Sequence, residues 1–167
     1  MLRRTGTPRR PRGLTRLLIR LPIQLYRFHL GGLLGGRFML INHIGRTSGK
    51  PRQVVVEVVA HDRDPESWTV MSGYGPTADW YRNLLAEPNA TISVGGRTVR
   101  VTASPLSTDE GAHVMESYGA AHPIIARRLA GFMGFEVDGS AQDYRELGRN
   151  LPILRLTRRK RHARPTD

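Results

Sequence analysis

Two segments of this 167-residue chain concentrate the groups needed to hold an anion beside a flat ring. The first, Ile44-Gly45-Arg46-Thr47-Ser48-Gly49-Lys50-Pro51-Arg52, packs two glycines, two hydroxyls and three cations into nine residues. Glycine lets backbone N–H groups turn inward, the hydroxyls of Thr47 and Ser48 can donate, and arginine offers a fork matching phosphate or carboxylate. The spacing is not that of a P-loop, and no helix follows to present its N-terminus. On pattern alone, a solvated Gly-rich hairpin loop has the same composition. The second segment, Ser72-Gly73-Tyr74-Gly75-Pro76-Thr77-Ala78-Asp79-Trp80-Tyr81-Arg82-Asn83-Leu84, runs from a strand end through a glycine-rich loop into a helix. Its glycines permit a ring to approach the backbone, and Trp80 and Tyr81 supply aromatic surface. The helix start adds partial positive charge where a reduced, anionic ring would sit. Trp80 and Leu84 also suit a purely structural role as core anchors of that helix.

Proton donors to a reduced substrate are sought among Tyr74, Tyr118 and His122, since phenol and imidazole can both deliver a proton near neutral pH if positioned. His122, followed by Pro123, also reads as a helix-start residue. The remaining histidines, His29, His43, His61, His113 and His162, show no paired ligand spacing, so no metal site is expected. The chain has no cysteine, which removes disulfides, thiolate nucleophiles and cysteine-ligated zinc or iron–sulfur centres. Asp62, Asp64 and Glu66 read as a solvated acidic hairpin turn.

These groups need a scaffold, and short β-rich runs dominate: Arg37–Ile44, Arg52–Ala60, Ser67–Ser72, Ala90–Val94, Thr98–Ala103 and Pro152–Leu156. Gly95-Gly96 sits where a two-residue hairpin needs positive φ, so the runs on either side of it should pair antiparallel. Helical periodicity marks Ala78–Ala86, closed by Pro88; Asp109–Ala121, entered from Ser107-Thr108; and Pro123–Met133. A short helix at Gln142–Gly148 is a further option. Strands and helices do not alternate one for one. The expected fold is therefore α+β, mainly β: a barrel of about six antiparallel strands with helices packed outside.

The organisation expected is a disordered basic tail over residues 1–13, one domain over 14–158 opening with an amphipathic helix, and a second basic tail over 159–167. In that helix Leu14, Leu17, Leu18, Leu21 and Leu25 share a face, while Arg16 and Arg20 break any secretory or membrane-spanning run. The formal charge of +12 is almost all arginine and concentrates at both ends. It favours an anionic partner, and weak attachment of the tails to an anionic membrane surface is the expectation. Nucleic acid is not expected, because the arginines lie outside the predicted core and no array of exposed aromatics accompanies them.

Together the two segments resemble the deazaflavin-dependent nitroreductase family, whose members carry a G-R-x-S-G-x-P-R loop after the first strand and later an S-x-x-G…W-Y-x-N-L stretch. Val54-Val55-Val56-Glu57 and the Asn89…Val94-Gly95-Gly96-Arg97 hairpin also fit, so the resemblance covers roughly residues 36–106. The loop before Trp80-Tyr81 is shorter than in several relatives. The resemblance implies a split β-barrel of FMN-binding-barrel type that binds coenzyme F420. It implies that Arg46, Thr47, Ser48, Gly49, Lys50, Pro51 and Arg52 grip the phosphate and oligoglutamate tail. Val55, Val56 and Glu57, with Ser72, Gly73, Tyr74 and Gly75, would flank the deazaflavin, and Asp79, Trp80 and Tyr81 would close one side. The implied activity is an F420-dependent oxidoreductase; the absence of cysteine fits a reducing cytoplasmic compartment, with the protein peripheral at the inner face of the plasma membrane if the tails attach. The enzyme would pass a hydride from reduced deazaflavin to a small planar electrophile: a quinone, a nitroaromatic or an activated alkene. The alternative is a barrel that binds FMN or F420 without a dedicated substrate. Barrels of the resembled kind commonly dimerise, so a homodimer is also an expectation.

Overall fold

In the computed structural model, which describes residues 2–4, 6 and 35–160, six antiparallel strands close into a barrel. They are β2 (Phe38–Ile44), β3 (Pro51–Arg63), β4 (Glu66–Met71), β5 (Asn89–Val94), β6 (Arg97–Pro105) and β8 (Ile153–Arg158), in the order β2-β3-β4-β8-β6-β5. The remaining strands, β1 (Arg3–Arg4) and β7 (Phe135–Glu136), form a separate two-stranded ladder. Part of the segment expected as a tail is thus paired, and Leu2 packs against a core cluster. The expected amphipathic helix and most of both tails lie outside the described residues. Among those described, no helix is long and apolar enough to cross a membrane.

The Gly95-Gly96 turn forms as expected, with φ of 54° and 75° and Val94 opposite Arg97. Strand β3 runs past its expected end at Ala60 to Arg63, pairing with β4 through a register shift between Val58 and Ala60. Alternation then sorts its valines. Val54, Val56 and Val58 pack against the barrel interior with Met39, Ile41, Trp68 and Ile92, while Val59 belongs to a second cluster outside the barrel.

The helices follow their sequence signals. Helix α1 (Asp79–Ala86) inserts Leu84 into the barrel core. Helix α2 (Thr108–Ala121) opens with a capping box in which Ser107 Oγ accepts from the Glu110 N–H and a Glu110 carboxylate oxygen accepts from the Ser107 N–H. Helix α3 (Pro123–Phe132) begins at its proline, with His122 as its N-cap residue. Helix α4 (Ala141–Asn150) is capped by Ser140 and is longer than expected at both ends. Met115, Tyr118, Met133, Tyr144 and Leu147 of this helical layer meet Val59, Met71 and Ile153 on the barrel's outer surface.

Glu66 corrects one expectation. The acidic turn is not merely solvated, because three strand ends converge there. Glu66 accepts from Arg97 Nη2 at 2.7 Å and Arg158 Nη1 at 2.8 Å, and its side chain is only 16% exposed. The Arg97 hydrogen bond, followed by that of Arg158, holds its carboxyl below the ordinary 4.5, burial opposing. The contribution of this cluster is therefore complete above pH 4.5 and is lost as pH falls through the lowered value. Both arginines are more than half exposed, so Glu66→Gln should cost about 1 kcal/mol at neutral pH. Denaturant unfolding of the variant should differ from wild type at pH 7 and converge with it in acid; a constant gap would contradict the assignment.

Candidate active site

The Gly45–Arg52 loop joins β2 to β3 and is closed on itself. Gly45 N–H donates to Lys50 O (2.9 Å), Gly49 N–H donates to Gly45 O (2.8 Å), and Ser48 Oγ accepts from Lys50 N–H (3.3 Å). Gly49 has φ 63°, which the turn needs glycine to supply, and a Cβ on Gly45 would fall 2.6 Å from Ser48 Oγ, displacing the hydroxyl that accepts from Lys50. The Thr47 and Ser48 N–H groups donate to no described residue. No described carboxylate pairs with Lys50 or Arg52, and both side chains are exposed. A loop presenting free N–H groups, hydroxyls and two unpaired cations is suited to an anion.

Arg46 is used differently. Its Nη1 donates to Asn83 Oδ1 (2.8 Å) and its backbone N–H to the same oxygen (3.1 Å), while Nη2 reaches Asp79 Oδ1 (3.1 Å). The loop and the Trp80-Tyr81 helix, distant in sequence, are thereby bolted together. Asn83 and His43 complete this contact and were not among the expected site residues. Asn83 stood in the W-Y-x-N-L pattern, but its partner lies 37 positions away, beyond the reach of local spacing.

From the loop, β3 leads away with Gln53, Val55 and Glu57 on its outer face, opposite Asn42, Leu40 and Phe38 of β2. Val56, expected beside them, points into the barrel. Glu57 accepts from Arg37 Nε at 3.2 Å and from the Tyr118 hydroxyl at 2.5 Å. Burial, then the Glu57 carboxylate, push the Tyr118 phenol well above its usual range, so Tyr118 stays protonated and donates. Beside it opens a recess of about 290 Å³ lined by Arg37, Val59, His61, Tyr118, His122 and Ile125 among others. The rings of Tyr118 and His122 lie 5.3 Å apart.

The Ser72–Gly75 loop sits elsewhere. Ser72 is fully buried, its Oγ donating to Gly75 O (2.7 Å), and Gly73 lies so close to Met133 that a Cβ would come within 3.1 Å of that side chain. The glycine at 73 serves packing. Tyr74 meets Phe132 edge-on at 6.1 Å, and burial raises its phenol. Trp80 and Tyr81 pack against the barrel core, at right angles to each other. Of the three expected proton donors, Tyr118 and His122 thus share a recess, and Tyr74 is not among its lining residues. A second recess, of about 270 Å³, contains only Tyr81 from the expected set. Among the described residues no group of three or more His, Asp and Glu is placed to hold a metal ion.

The model of the F420H(2)-dependent quinone reductase family matches residues 19–131. The structure of an F420-H2 dependent reductase, FDR-A, is 22% identical over 72% of this chain and 93% of its own, with a TM-score of 0.49. A protein solved as a domain-swapped dimer is 20% identical over 81% of this chain and 98% of its own, with a TM-score of 0.50. Atu2129 from Agrobacterium tumefaciens str. C58, of unknown function, is 13% identical over 92% of this chain and 59% of its own, with a TM-score of 0.52. No curated protein matches in sequence. The last two structures, at TM-scores of 0.50 and 0.52, show by their likeness the fold alone, a split β-barrel.

Proposed function

The chain belongs to the F420H(2)-dependent quinone reductase family, and from that premise we propose that it reduces a small planar acceptor, a quinone before a nitroaromatic or an activated alkene. The observation carrying the reading is the pair of unpaired cations, Lys50 and Arg52, on a loop with free N–H groups at Thr47 and Ser48. The donor set fits the phosphate and carboxylates of an F420 tail, because it supplies several cationic and neutral donors with no carboxylate among them to repel the ligand. Five residue steps of strand lead from Arg52 to Glu57, about 17 Å at the strand rise, which is room for an extended ribityl-phosphate chain.

When bound, F420H2 supplies a hydride; the protein positions it and manages the proton. Hydride plus one proton converts a quinone to a hydroquinone, so the acceptor oxygen needs a donor. Tyr118 holds the Glu57 carboxylate and, with its phenol raised, acts by hydrogen bonding rather than by losing its proton. His122, exposed at the rim of the same recess, is the group that delivers the proton at its imidazole nitrogen. Val59 and Ile125 give the recess an apolar wall suited to a planar ring.

The test is a fluorescence titration of the intact protein with F420 and FMN side by side, then turnover of F420H2 with a quinone, a nitroaromatic and an activated alkene. Saturable F420 binding at micromolar concentrations and fastest turnover with the quinone are expected, with His122→Ala lowering turnover more than affinity. Absence of F420 binding well above that range, or preference for FMN in competition, would overturn the reading.

A further inference from the structure

We infer that His43 and Asn83 are positioning residues for the anion-binding loop, forming with Arg46 a chain of hydrogen bonds, buried at its inner end, that fixes the loop against the helix plugging the barrel. The inference rests on the proposed role of that loop in holding F420.

His43 follows Met39 and Ile41 on the inward face of β2 and is 4% exposed. Asn83 is 5% exposed, one residue before Leu84, which fills the barrel core. Two buried polar side chains at the edge of an apolar interior are costly unless their hydrogen bonds are completed. Here they complete each other. The Asn83 Oδ1 accepts from both the Arg46 N–H and the Arg46 guanidinium, so its Nδ2 must be the atom facing His43 Nδ1, at 3.3 Å. That contact makes Nδ1 an acceptor and places the imidazole proton on Nε2. Burial is the main cause keeping the His43 imidazole below its ordinary range, with Arg52 adding to it and a backbone hydrogen bond at Ile44 opposing. The neutral acceptor form is therefore the one present at neutral pH.

The chain acts on the loop through its first residue. Tying the Arg46 N–H and guanidinium to Asn83 fixes the loop at the residue preceding Thr47 and Ser48, whose N–H groups have no described partner. A loop ordered in advance loses less entropy when it takes an anion. Arg46 accordingly braces the loop against Asn83 and Asp79, and the grip falls to Lys50 and Arg52.

The experiment compares Asn83→Leu, His43→Leu and His43→Gln with wild type in F420 titrations, together with thermal melting and backbone amide exchange at Arg46. Asn83→Leu keeps the number and branching of side-chain heavy atoms and removes both acceptor bonds; at least tenfold weaker F420 binding and fast exchange at the Arg46 amide are expected. His43→Leu should weaken binding about threefold or more, and His43→Gln, whose side-chain carbonyl can accept from Asn83, should restore it. If Asn83→Leu does not fold, the two His43 variants decide: equal affinities overturn the inference. Wild-type binding retained within twofold in Asn83→Leu, or an unprotected Arg46 amide in wild type, also overturns it. Failure of wild type to bind F420 instead overturns the functional reading, and the amide exchange still tests the hydrogen-bond chain.

Discussion

Replacing Lys50 and Arg52 together by alanine should weaken F420 binding about a hundredfold while leaving the melting temperature within a degree or so of wild type. Hydrogen bonds to charged partners contribute roughly 1.5–3 kcal/mol each, so two such contacts could account for 3–6 kcal/mol. Both side chains are solvated, which places the expectation at the low end, near the 2.7 kcal/mol equivalent to about a hundredfold. Stability should hold because neither side chain has a described ion-pair partner or a place in either core cluster. Wild-type affinity should also fall steeply with ionic strength, and the variant's much less, since its remaining contacts are to N–H groups and hydroxyls. A double variant that binds F420 within threefold of wild type would mean that the tail is held elsewhere, and the assignment of the loop would fall with it.

Much of the scaffold was legible because local signals and tertiary demands agree. Gly95-Gly96 has the chemistry of a tight turn and forms one, and Ser107 with Glu110 marks a helix start that the structure uses. The barrel followed from six strand-like runs. The site was legible in its loop and obscure in its connections. Three successive valines, Val54 to Val56, hide the alternation that would have revealed which face each occupies, so Val56 was grouped with Val55 and Glu57 although it points inward. Arg46 resembles Lys50 and Arg52 in sequence; only a partner 37 residues away sets it apart from them. Gly73 reads as ring clearance in the sequence, and in the fold it lies against Met133, a residue 60 positions downstream. Each of these turns on a long-range contact, to which spacing along the chain is blind. Glu66 is a further case, its arginine partners lying 31 and 92 positions away.

The largest expected loss of stability is in the helical layer, at Gly148→Ala. Intrinsic propensity predicts the opposite sign, since alanine in a helix interior is better than glycine by about 1 kcal/mol. Helices α2 and α4, however, meet backbone to backbone here. A Cβ on Gly148 would run into the Gly111 carbonyl and lie 2.9 Å from the Ala112 Cα, while a Cβ on Gly111 would lie 2.8 Å from the Gly148 carbonyl oxygen. No rotamer change can relieve a clash with main chain, so the helices must separate along their contact, and overpacking of this kind costs typically 1–3 kcal/mol or more. With the propensity gain set against the upper end of that range, as a main-chain clash warrants, net destabilisation of about 2 kcal/mol is expected by denaturant unfolding. Gly131→Ala is the matched control: it lies in α3, is exposed, and a Cβ there meets nothing within 4 Å, so it should be neutral or slightly stabilising. The loss should also reach the site, because α2 carries Tyr118 to Glu57. Separation of α2 from α4 would shift that hydroxyl and widen the recess beside His122, lowering turnover even where the variant remains folded. A Gly148→Ala protein as stable as wild type would mean that the two helices are not in backbone contact, and the route from helix packing to the Glu57 carboxylate would be lost with it.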